Sequence, residues 1–292
     1  MRILVTGATG HIGQAICQRL RQTPHEVIGL SRGRRAPSNV EPHVQADIGS
    51  DAFVHLVMDQ VKPCDAIVHA AACLSKAPFE PLTVQTNCVG MHQMLRLAQE
   101  WNVKRFIYTS GVSVIGSPSD LPITERHPLK PGTPYLASKL FGELLADAIL
   151  PNQSVSLRIS SPVGPHTPDG RIFSTFIQNA AANKPLILAG QGKRAQNYID
   201  VRDIALCVEC ALRATATGPF NVGGPETLSN HDLALRCIKR LNSGSAIQLG
   251  DSDSPDDMIR WEMDLSQARD RLGFTATYSM DDSISAYANC LT

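Results

Sequence analysis

The chain has 292 residues, 43% of them hydrophobic and 18% charged, which is the length and composition of a globular protein with a substantial core. Its 27 Lys and Arg residues balance 27 Asp and Glu residues, so its charge gives no reason to expect binding to nucleic acid or to an anionic membrane. No stretch approaches the ~20 consecutive apolar residues of a membrane-spanning helix, and we expect no signal peptide because a strand begins at once.

The first stretch, M-R-I-L-V-T-G-A-T-G-H-I-G, predicts a strand, a tight turn and a helix. Arg2 to Thr6 form a short apolar strand, and the helix continues to about Leu20. Gly7, Gly10 and Gly13 let the backbone approach a ligand closely, and the start of the helix offers free N–H groups to a pyrophosphate. In this context the pattern T-G-x-x-G-x-x-G indicates a dinucleotide-binding site.

The end of the second predicted strand, Glu26 to Leu30, bears on the choice of dinucleotide. Dinucleotide folds that bind NAD commonly place an acidic residue here, on the ribose 2′-hydroxyl. This chain has Ser31 at that place, followed by Arg32, Arg34 and Arg35. A serine and arginines suit a 2′-phosphate, so the sequence favours NADP over NAD, although a solvated basic loop has the same composition.

Three further features follow along the predicted sheet. A third strand, 43–45, leads to Asp47, which either contacts adenine or caps a helix. A fourth strand ends in Ala70, Ala71 and Ala72, whose small side chains leave room for a cofactor at the sheet edge. Asn87 opens a helix and has either a packing role or a role in the site.

A fifth strand, 103–109, is followed by Ser110 and Gly111, and a helix then opens with Tyr135 and Lys139. These two residues are four positions apart and therefore share one helix face. An ammonium beside a phenol favours the phenolate, so the pair suits proton transfer.

The eight cysteines are scattered through apolar segments, and Cys207 and Cys210 form a C-x-x-C without a second pair. We expect buried thiols, no metal site, and a reduced protein of the cytoplasm.

Taken together, these motifs resemble the extended short-chain dehydrogenase/reductase family, the group of sugar-nucleotide epimerases, dehydratases and reductases. The resemblance covers nearly the whole chain and also includes the motifs Asp47-Ile48, His69-Ala70-Ala71, Leu157-Arg158, Pro162-Val163-Gly164-Pro165, Tyr198 to Asp203, Phe220 to Gly224 and Asp264 to Phe274.

The resemblance implies that Tyr135 is the catalytic acid/base and that Lys139 binds the nicotinamide ribose and tunes Tyr135. It implies a cofactor site made of Gly7, Thr9, Gly10, His11, Ile12, Gly13, Ser31, Arg32, Asp47, Ile48, Ala70, Ala71, Ala72, Asn87, Tyr135, Lys139, Pro162 and Val163.

The first departure from the family concerns its catalytic Ser or Thr, whose place is taken by Gly111. Ser113 is two residues further along and would point to the same side of an extended segment, so we expect Ser113, or else Ser110, to replace it. The family's dehydratases carry an Asp-Glu pair just after this place, where this chain has Val112-Ser113. This argues against a dehydratase of that type.

Two more departures concern the substrate. Gln196-Asn197 stand where the family often has an arginine that binds the nucleotide diphosphate, and Ser161 replaces an asparagine of the epimerases. These departures make a sugar-nucleotide substrate less certain and favour a smaller or unphosphorylated carbonyl substrate more than the family resemblance alone would. Further candidate contacts are His166, Arg171, Lys193, Arg194 and Arg202.

The alternation of strands and helices predicts an α/β fold: a doubly wound parallel Rossmann-type sheet with a small α-rich C-terminal substrate lobe. We expect a dinucleotide-binding domain at 1–162 with a returning segment at 197–224, and a substrate lobe at 163–196 and 225–292. The resemblance implies a homodimer formed through the helices near 87–100 and 135–149.

The leading functional hypothesis is an NADP-dependent oxidoreductase that reduces a keto group, or oxidises the hydroxyl, of a sugar-nucleotide-like or other small substrate. The second hypothesis is an NAD-dependent sugar-nucleotide epimerase. The third is a non-catalytic NADP-binding sensor on the same fold, which Gly111 favours and the Tyr135–Lys139 pair opposes.

Overall fold

A computed structural model describes residues 1–33, 42–74, 77, 80–250 and 256–291. The strands are β1 (Arg2–Thr6), β2 (Glu26–Ser31), β3 (His43–Gln45), β4 (Ala66–His69), β5 (Arg105–Gly111), β6 (Ser154–Ile159), β7 (Ser161–Val163), β8 (Leu186–Leu188), β9 (Ala195–Asp200), β10 (Gly218–Val222), β11 (Thr227–Ser229) and β12 (Ile247–Leu249). The α-helices are α1 (His11–Leu20), α2 (Phe53–Gln60), α3 (Pro81–Val84), α4 (Gly90–Glu100), α5 (Pro134–Ile149), α6 (Ile172–Ala181), α7 (Val201–Arg213), α8 (Asn230–Arg240) and α9 (Met280–Ala288).

The central element is a seven-stranded sheet in the order β10-β6-β5-β4-β1-β2-β3, and all its neighbouring strands are parallel. The chain first builds outward from β1 through β2 to β3, and then builds the other half from β4. The direction therefore switches between β1 and β4, and open α/β sheets bind ligands outside the carboxyl ends of the strands at such a switch. This confirms the predicted doubly wound α/β fold.

Both faces of the sheet are covered, as a parallel sheet requires. Alternate residues of β1 enter different cores: Ile3 and Val5 pack with α1 and α7, whereas Leu4 packs with α2 and α4. The continuous apolar run of β1 therefore has a partner on each side. This two-sided burial fixes the position of the turn that follows Thr6.

The part of the chain predicted as the substrate lobe contains a separate core, formed by α6, α8 and α9 together with short strands. Outside the central sheet, the described strands form two small sheets, β11-β9-β7 and β12-β8, which were not predicted from the sequence. Three-residue strands such as β7 and β8 carry too little periodicity to be recognised in a sequence.

The returning segment 197–224 is divided between the two parts of the fold. Its strand β10 lies at the edge of the central sheet and α7 packs against α1, whereas β9 pairs with β7 and β11 outside that sheet. The domain boundaries remain a prediction.

Two general properties of the described residues complete the fold. None of their helices has the length and apolar character needed to cross a membrane. All eight cysteines lie within the described ranges, and all are free thiols.

Candidate active site

The turn between β1 and α1 brings the backbone of two chain segments into direct contact. Gly7 has a φ of +65° and lies against the backbone of Ala70 and Ala71, while a Cβ on Gly13 would overlap the Gly7 carbonyl. The N–H of Gly10 donates to that same carbonyl at 2.8 Å. No side chain caps the N-terminus of α1, so its first N–H groups are available to an anion.

A cleft of about 1100 Å³ runs along the carboxyl ends of the central strands, from Leu30 to Trp261. Ligand pockets are commonly ~300–1,000 Å³, so this cleft is large enough for a large ligand. The residues predicted for the site that line it are Gly7, Thr9, Gly10, His11, Ile12, Gly13, Ser31, Arg32, Asp47, Ile48, Ala70, Ala71, Ala72, Ser110, Ser113, Tyr135, Lys139, Pro162 and Val163.

Among the residues predicted for the cofactor site, Asn87 is the one that does not line the cleft. Its Oδ1 accepts from the N–H of Cys73 at 2.7 Å, and its Nδ2 donates to the Cys73 carbonyl and to Ser138 Oγ at 3.0 and 2.9 Å. The Asn87 amide therefore fixes the loop after β4 against α5. It acts on the shape of the cleft and does not line it.

At one end of the cleft, polar contacts hold the residues that follow β2. Ser31 Oγ lies 2.8 Å from His43 Nε2, and Gln45 Nε2 donates to the Arg32 carbonyl at 3.2 Å. Arg32 lines the cleft with an exposed side chain. Asp47 lines it as well and accepts from the N–H of Gly49 at 3.0 Å. Arg34 and Arg35 lie outside the described residues.

Tyr135 and Lys139 lie together on the first turns of α5, as their spacing predicts. Thr133 caps this helix by accepting from the N–H of Leu136 at 3.2 Å, and Pro134 occupies its first position. The Lys139 ammonium lies over the Tyr108 ring, 4.6 Å from its centroid. Both residues line the cleft.

Burial is the largest influence on the pKa values of Tyr135 and Lys139. It raises the pKa of Tyr135 to about 12, and the positive charge of Arg171 opposes this rise. Burial also lowers the pKa of Lys139 to about 8, and the Glu143 carboxylate opposes this fall. We expected Lys139 to lower the pKa of Tyr135, but here desolvation of the phenol is the larger effect.

The segment that should carry a catalytic hydroxyl has an unexpected shape. Ser110 Oγ donates to Glu143 Oε1 at 2.5 Å, so its proton is engaged inside the protein. A Cβ at Gly111 would meet no atom closer than the Ile159 carbonyl oxygen, at 3.9 Å. Ser113 lines the cleft from a 3₁₀ turn, Val112–Ile115, and not from the extended segment on which its expected direction was based.

The other end of the cleft is mostly uncharged. Arg171 and Arg194 line it, but Arg194 is paired with Asp256 at 2.7 Å. Ser161 Oγ donates to Gln196 Oε1 at 3.2 Å, so the two residues that replace family side chains contact each other.

Three further polar groups at this end were missed by the sequence analysis. Ser160 Oγ, Tyr198 OH and Trp261 Nε1 are buried, have no hydrogen-bond partner among the described residues, and belong to residues that line the cleft. Buried polar groups are rarely left unpaired, so these three are candidates to bind a ligand. Tyr198 begins one of the motifs of the resemblance but was not predicted as a site residue, and no motif contains Ser160 or Trp261.

Three candidate substrate contacts lie away from this cleft. Arg202 forms an ion pair with Asp200 and stacks on the Tyr278 ring, and His166 is also absent from the cleft lining. Lys193 lines a separate cavity of about 390 Å³.

Comparisons with known proteins match this chain over most of its length. The sequence profile of the NAD dependent epimerase/dehydratase family matches residues 3–257. A dTDP-glucose 4,6-dehydratase of Streptomyces niveus is 28% identical over 313 residues, which cover 97% of this chain and 90% of that protein. A UDP-glucose 4-epimerase of Mycolicibacterium smegmatis is 28% identical over 317 residues, covering 97% and 96%.

Solved structures share the fold at lower identity. A UDP-glucose 4-epimerase of Thermotoga maritima, crystallised with UDP-glucose, has a TM-score of 0.88 and 20% identity, covering 100% of this chain and 98% of that chain. MoeE5 in complex with UDP-glucuronic acid and NAD has a TM-score of 0.87 and 22% identity, covering 100% and 99%.

Proposed function

This chain belongs to the NAD dependent epimerase/dehydratase family, and we propose that it is an NADP-dependent oxidoreductase acting on the carbonyl or hydroxyl carbon of a small substrate. Membership confirms the resemblance to the extended short-chain dehydrogenases/reductases and with it an NAD(P)-dependent enzyme. The observation that carries the finer proposal is that Tyr135 and Lys139 line the same cleft as the glycine turn.

The residues present fit a nicotinamide dinucleotide. Gly7 and Gly13 keep the turn free of Cβ atoms, and the uncapped start of α1 suits the pyrophosphate. The three alanines after β4 leave space beside Lys139, whose ammonium suits ribose hydroxyls. The bound nicotinamide supplies or accepts the hydride.

Proton transfer falls to Tyr135. Its pKa of about 12 keeps the phenol protonated at neutral pH, so it is a proton donor to the substrate oxygen when a ketone is reduced. Ser113 lines the same cleft and is the hydroxyl that we propose to orient this oxygen. Ser110 is the weaker candidate, because its proton is donated to Glu143.

The choice of NADP rests on the end of β2. The described residues place no carboxylate at the position of Ser31, and the exposed Arg32 lines the cleft beside it. A serine hydroxyl and a guanidinium together suit a 2′-phosphate. The MoeE5 structure holds NAD, so this chain is proposed to depart from that neighbour in cofactor.

The substrate end supports an oxygen-rich carbonyl compound. Ser160, Tyr198 and Trp261 offer uncharged hydrogen-bonding groups, and aromatic rings form part of the wall. The relatives named above act on sugars joined to nucleotides, and such a sugar is one form of this substrate.

A sugar-nucleotide epimerase is the second candidate, and the 28% identity to the Mycolicibacterium epimerase favours it. An epimerase of this type returns its hydride to the same substrate and has no need to exchange cofactor. Gln196 and Ser161 oppose this candidate, because they replace family side chains and bind each other. The sensor hypothesis is weaker, since Tyr135 and Lys139 are both in place.

The outer surface of α5 supports a dimer. Phe141 and Leu144 are 41% and 61% exposed, and Val84 of the neighbouring α3 is 58% exposed. These side chains form an apolar surface beside α4, where the sequence predicts pairing through the helices near 87–100 and 135–149.

Free thiols at all eight cysteines support a reducing compartment, and we propose the cytoplasm.

Replacing Tyr135 with Phe should lower turnover of a ketone by roughly 10²–10⁴-fold, because the proton donor is lost. A panel of free and nucleotide-linked keto sugars, followed by NADPH absorbance, would first identify a ketone that is reduced. Tyr278→Phe is the control, since Tyr278 stacks on Arg202 and does not line the cleft. Unchanged turnover in Tyr135→Phe would disprove the assignment.

Replacing Arg32 with Ala should weaken NADPH binding about tenfold or more and leave NADH binding nearly unchanged, because a hydrogen bond between charged groups contributes ~1.5–3 kcal/mol. Fluorescence titration of each reduced cofactor gives both Kd values. An unchanged ratio of the two values would exclude Arg32 from binding the 2′-phosphate.

The cofactor that copurifies separates the two leading functions. We expect the denatured protein to release NADP or nothing, because a reductase exchanges its cofactor in every turnover. Mass spectrometry of the released fraction identifies it. One equivalent of tightly held NAD⁺ would favour the epimerase and contradict the cofactor preference.

Replacing Leu144 with Asp should convert the dimer to a monomer, because it places a charge in the apolar surface of α5. Sedimentation equilibrium measures the mass of both proteins. Leu235→Asp serves for comparison, since Leu235 is 47% exposed on α8, away from this surface. A wild-type protein that sediments as a monomer would refute the proposed pairing.

A further inference from the structure

A buried cluster of charged groups lies beneath Tyr135 and Lys139 and is not used by the proposed reaction. The side chains of Glu143 and Arg158 are only 7% and 3% exposed. Arg158 Nε donates to both carboxylate oxygens at 3.2 and 3.1 Å, and its Nη2 donates to Oε2 at 2.8 Å. Ser110 Oγ adds a fourth hydrogen bond to the same carboxylate at 2.5 Å.

The fold holds this cluster in a fixed place. Ser110 of β5 and Arg158 of β6 are directly paired in the sheet, and both contact Glu143 of α5. Arg158 Nη1 is further held by the Glu125 carbonyl at 2.9 Å. The Glu143 carboxylate therefore has little freedom to move.

Glu143 is four residues after Lys139 and so lies one turn further along the same face of α5. Lys139 forms no ion pair with any residue in the described ranges, since the Glu143 oxygens are occupied by Arg158 and Ser110. The carboxylate thus acts on the ammonium through space. Its field in this buried region is weakly screened.

The other groups around Lys139 offer little compensation for its charge. Burial lowers the pKa of His69 to about 3, so this ring is neutral, and its Nδ1 lies 2.7 Å from Thr6 Oγ1. Tyr108 presents the face of its ring, and burial raises the pKa of its hydroxyl. The titratable and charged groups around the ammonium in the described chain are His69 of β4, Tyr108 of β5, Tyr135 and Glu143 of α5, and Arg158 of β6 beyond the carboxylate. Cys88 acts on Tyr108.

Glu143 is therefore the one negative group of this set, and it faces two cations. A buried ammonium without a nearby carboxylate loses its proton far below the ordinary lysine value. We propose that Glu143 is a positioning residue for Lys139: its carboxylate, fixed by Arg158 and Ser110, keeps the buried ammonium protonated at neutral pH.

The consequence for catalysis rests on the proposed function, in which Lys139 contacts the cofactor beside Tyr135. The protonation of Lys139 itself does not, because it can be measured in cofactor-free protein without a substrate. A failure of the proposed reaction and a failure of this inference are therefore distinguishable.

The test is a pH titration of the Lys139 side chain by ¹³C NMR of the Cε atom, with the signal assigned by its absence in Lys139→Arg. The wild-type midpoint should lie near pH 8. In Glu143→Gln it should fall by about one pH unit or more, because an opposite charge is removed while Arg158 stays. Glu143→Asp keeps a carboxylate, so its midpoint should lie closer to the wild-type value than to that of Glu143→Gln.

The matched control is Glu209→Gln. Glu209 lies on α7, and its buried carboxylate is paired with Arg19 at 2.7 Å. The substitution should leave the Lys139 midpoint unchanged. If Glu143→Gln fails to fold, Glu143→Gln combined with Arg158→Gln avoids an unpaired buried cation. A midpoint equal to that of the wild type in a folded variant that carries Glu143→Gln would overturn the inference.

Discussion

The close packing of Gly13 on the Gly7 carbonyl is the contact on which the cleft depends. It lets α1 begin immediately after β1, so the helix N-terminus faces the carboxyl edge of the sheet. The same turn lies against the backbone of Ala70 and Ala71, where β4 ends. Because β1 and β4 flank the switch point, these two backbone contacts of Gly7 position the segments on both sides of it.

A second layer of contacts then fixes the groups around that site. The Asn87 amide holds the loop after β4, and Ser31 and Arg32 are each held by a residue of β3. Near Tyr135 and Lys139, Arg158 and Glu143 join the central sheet to α5. Each connection joins segments that are separate in the chain, so contacts between different parts of the fold hold the geometry of the cleft.

The sequence was sufficient for features that depend on neighbouring residues. The strand–turn–helix at Gly7 and the shared face of Tyr135 and Lys139 follow from local spacing, and the alternation of elements was enough for the fold class. The hydrogen bond of Asn87 to Ser138 and the unpartnered hydroxyl of Ser160 depend on which distant segments meet, so no spacing in the sequence predicts them. Glu143 is intermediate: its position four residues after Lys139 was visible, but its partner on β6 was not.

The direction of Ser113 shows a different limit. Its expected direction assumed that the chain stays extended after Gly111, whereas the chain turns into a short 3₁₀ segment there. This turn, together with the open space at Gly111, changes where hydroxyl groups reach the cleft. Ser113 approaches from the turn, and Ser160 follows the paired strand β6 with an unpartnered hydroxyl. Gly111 has no side chain, but the cleft still has hydroxyl groups close to it in the chain fold. Ser113 supplies one from the 3₁₀ turn, and Ser160 supplies another from the residue after β6.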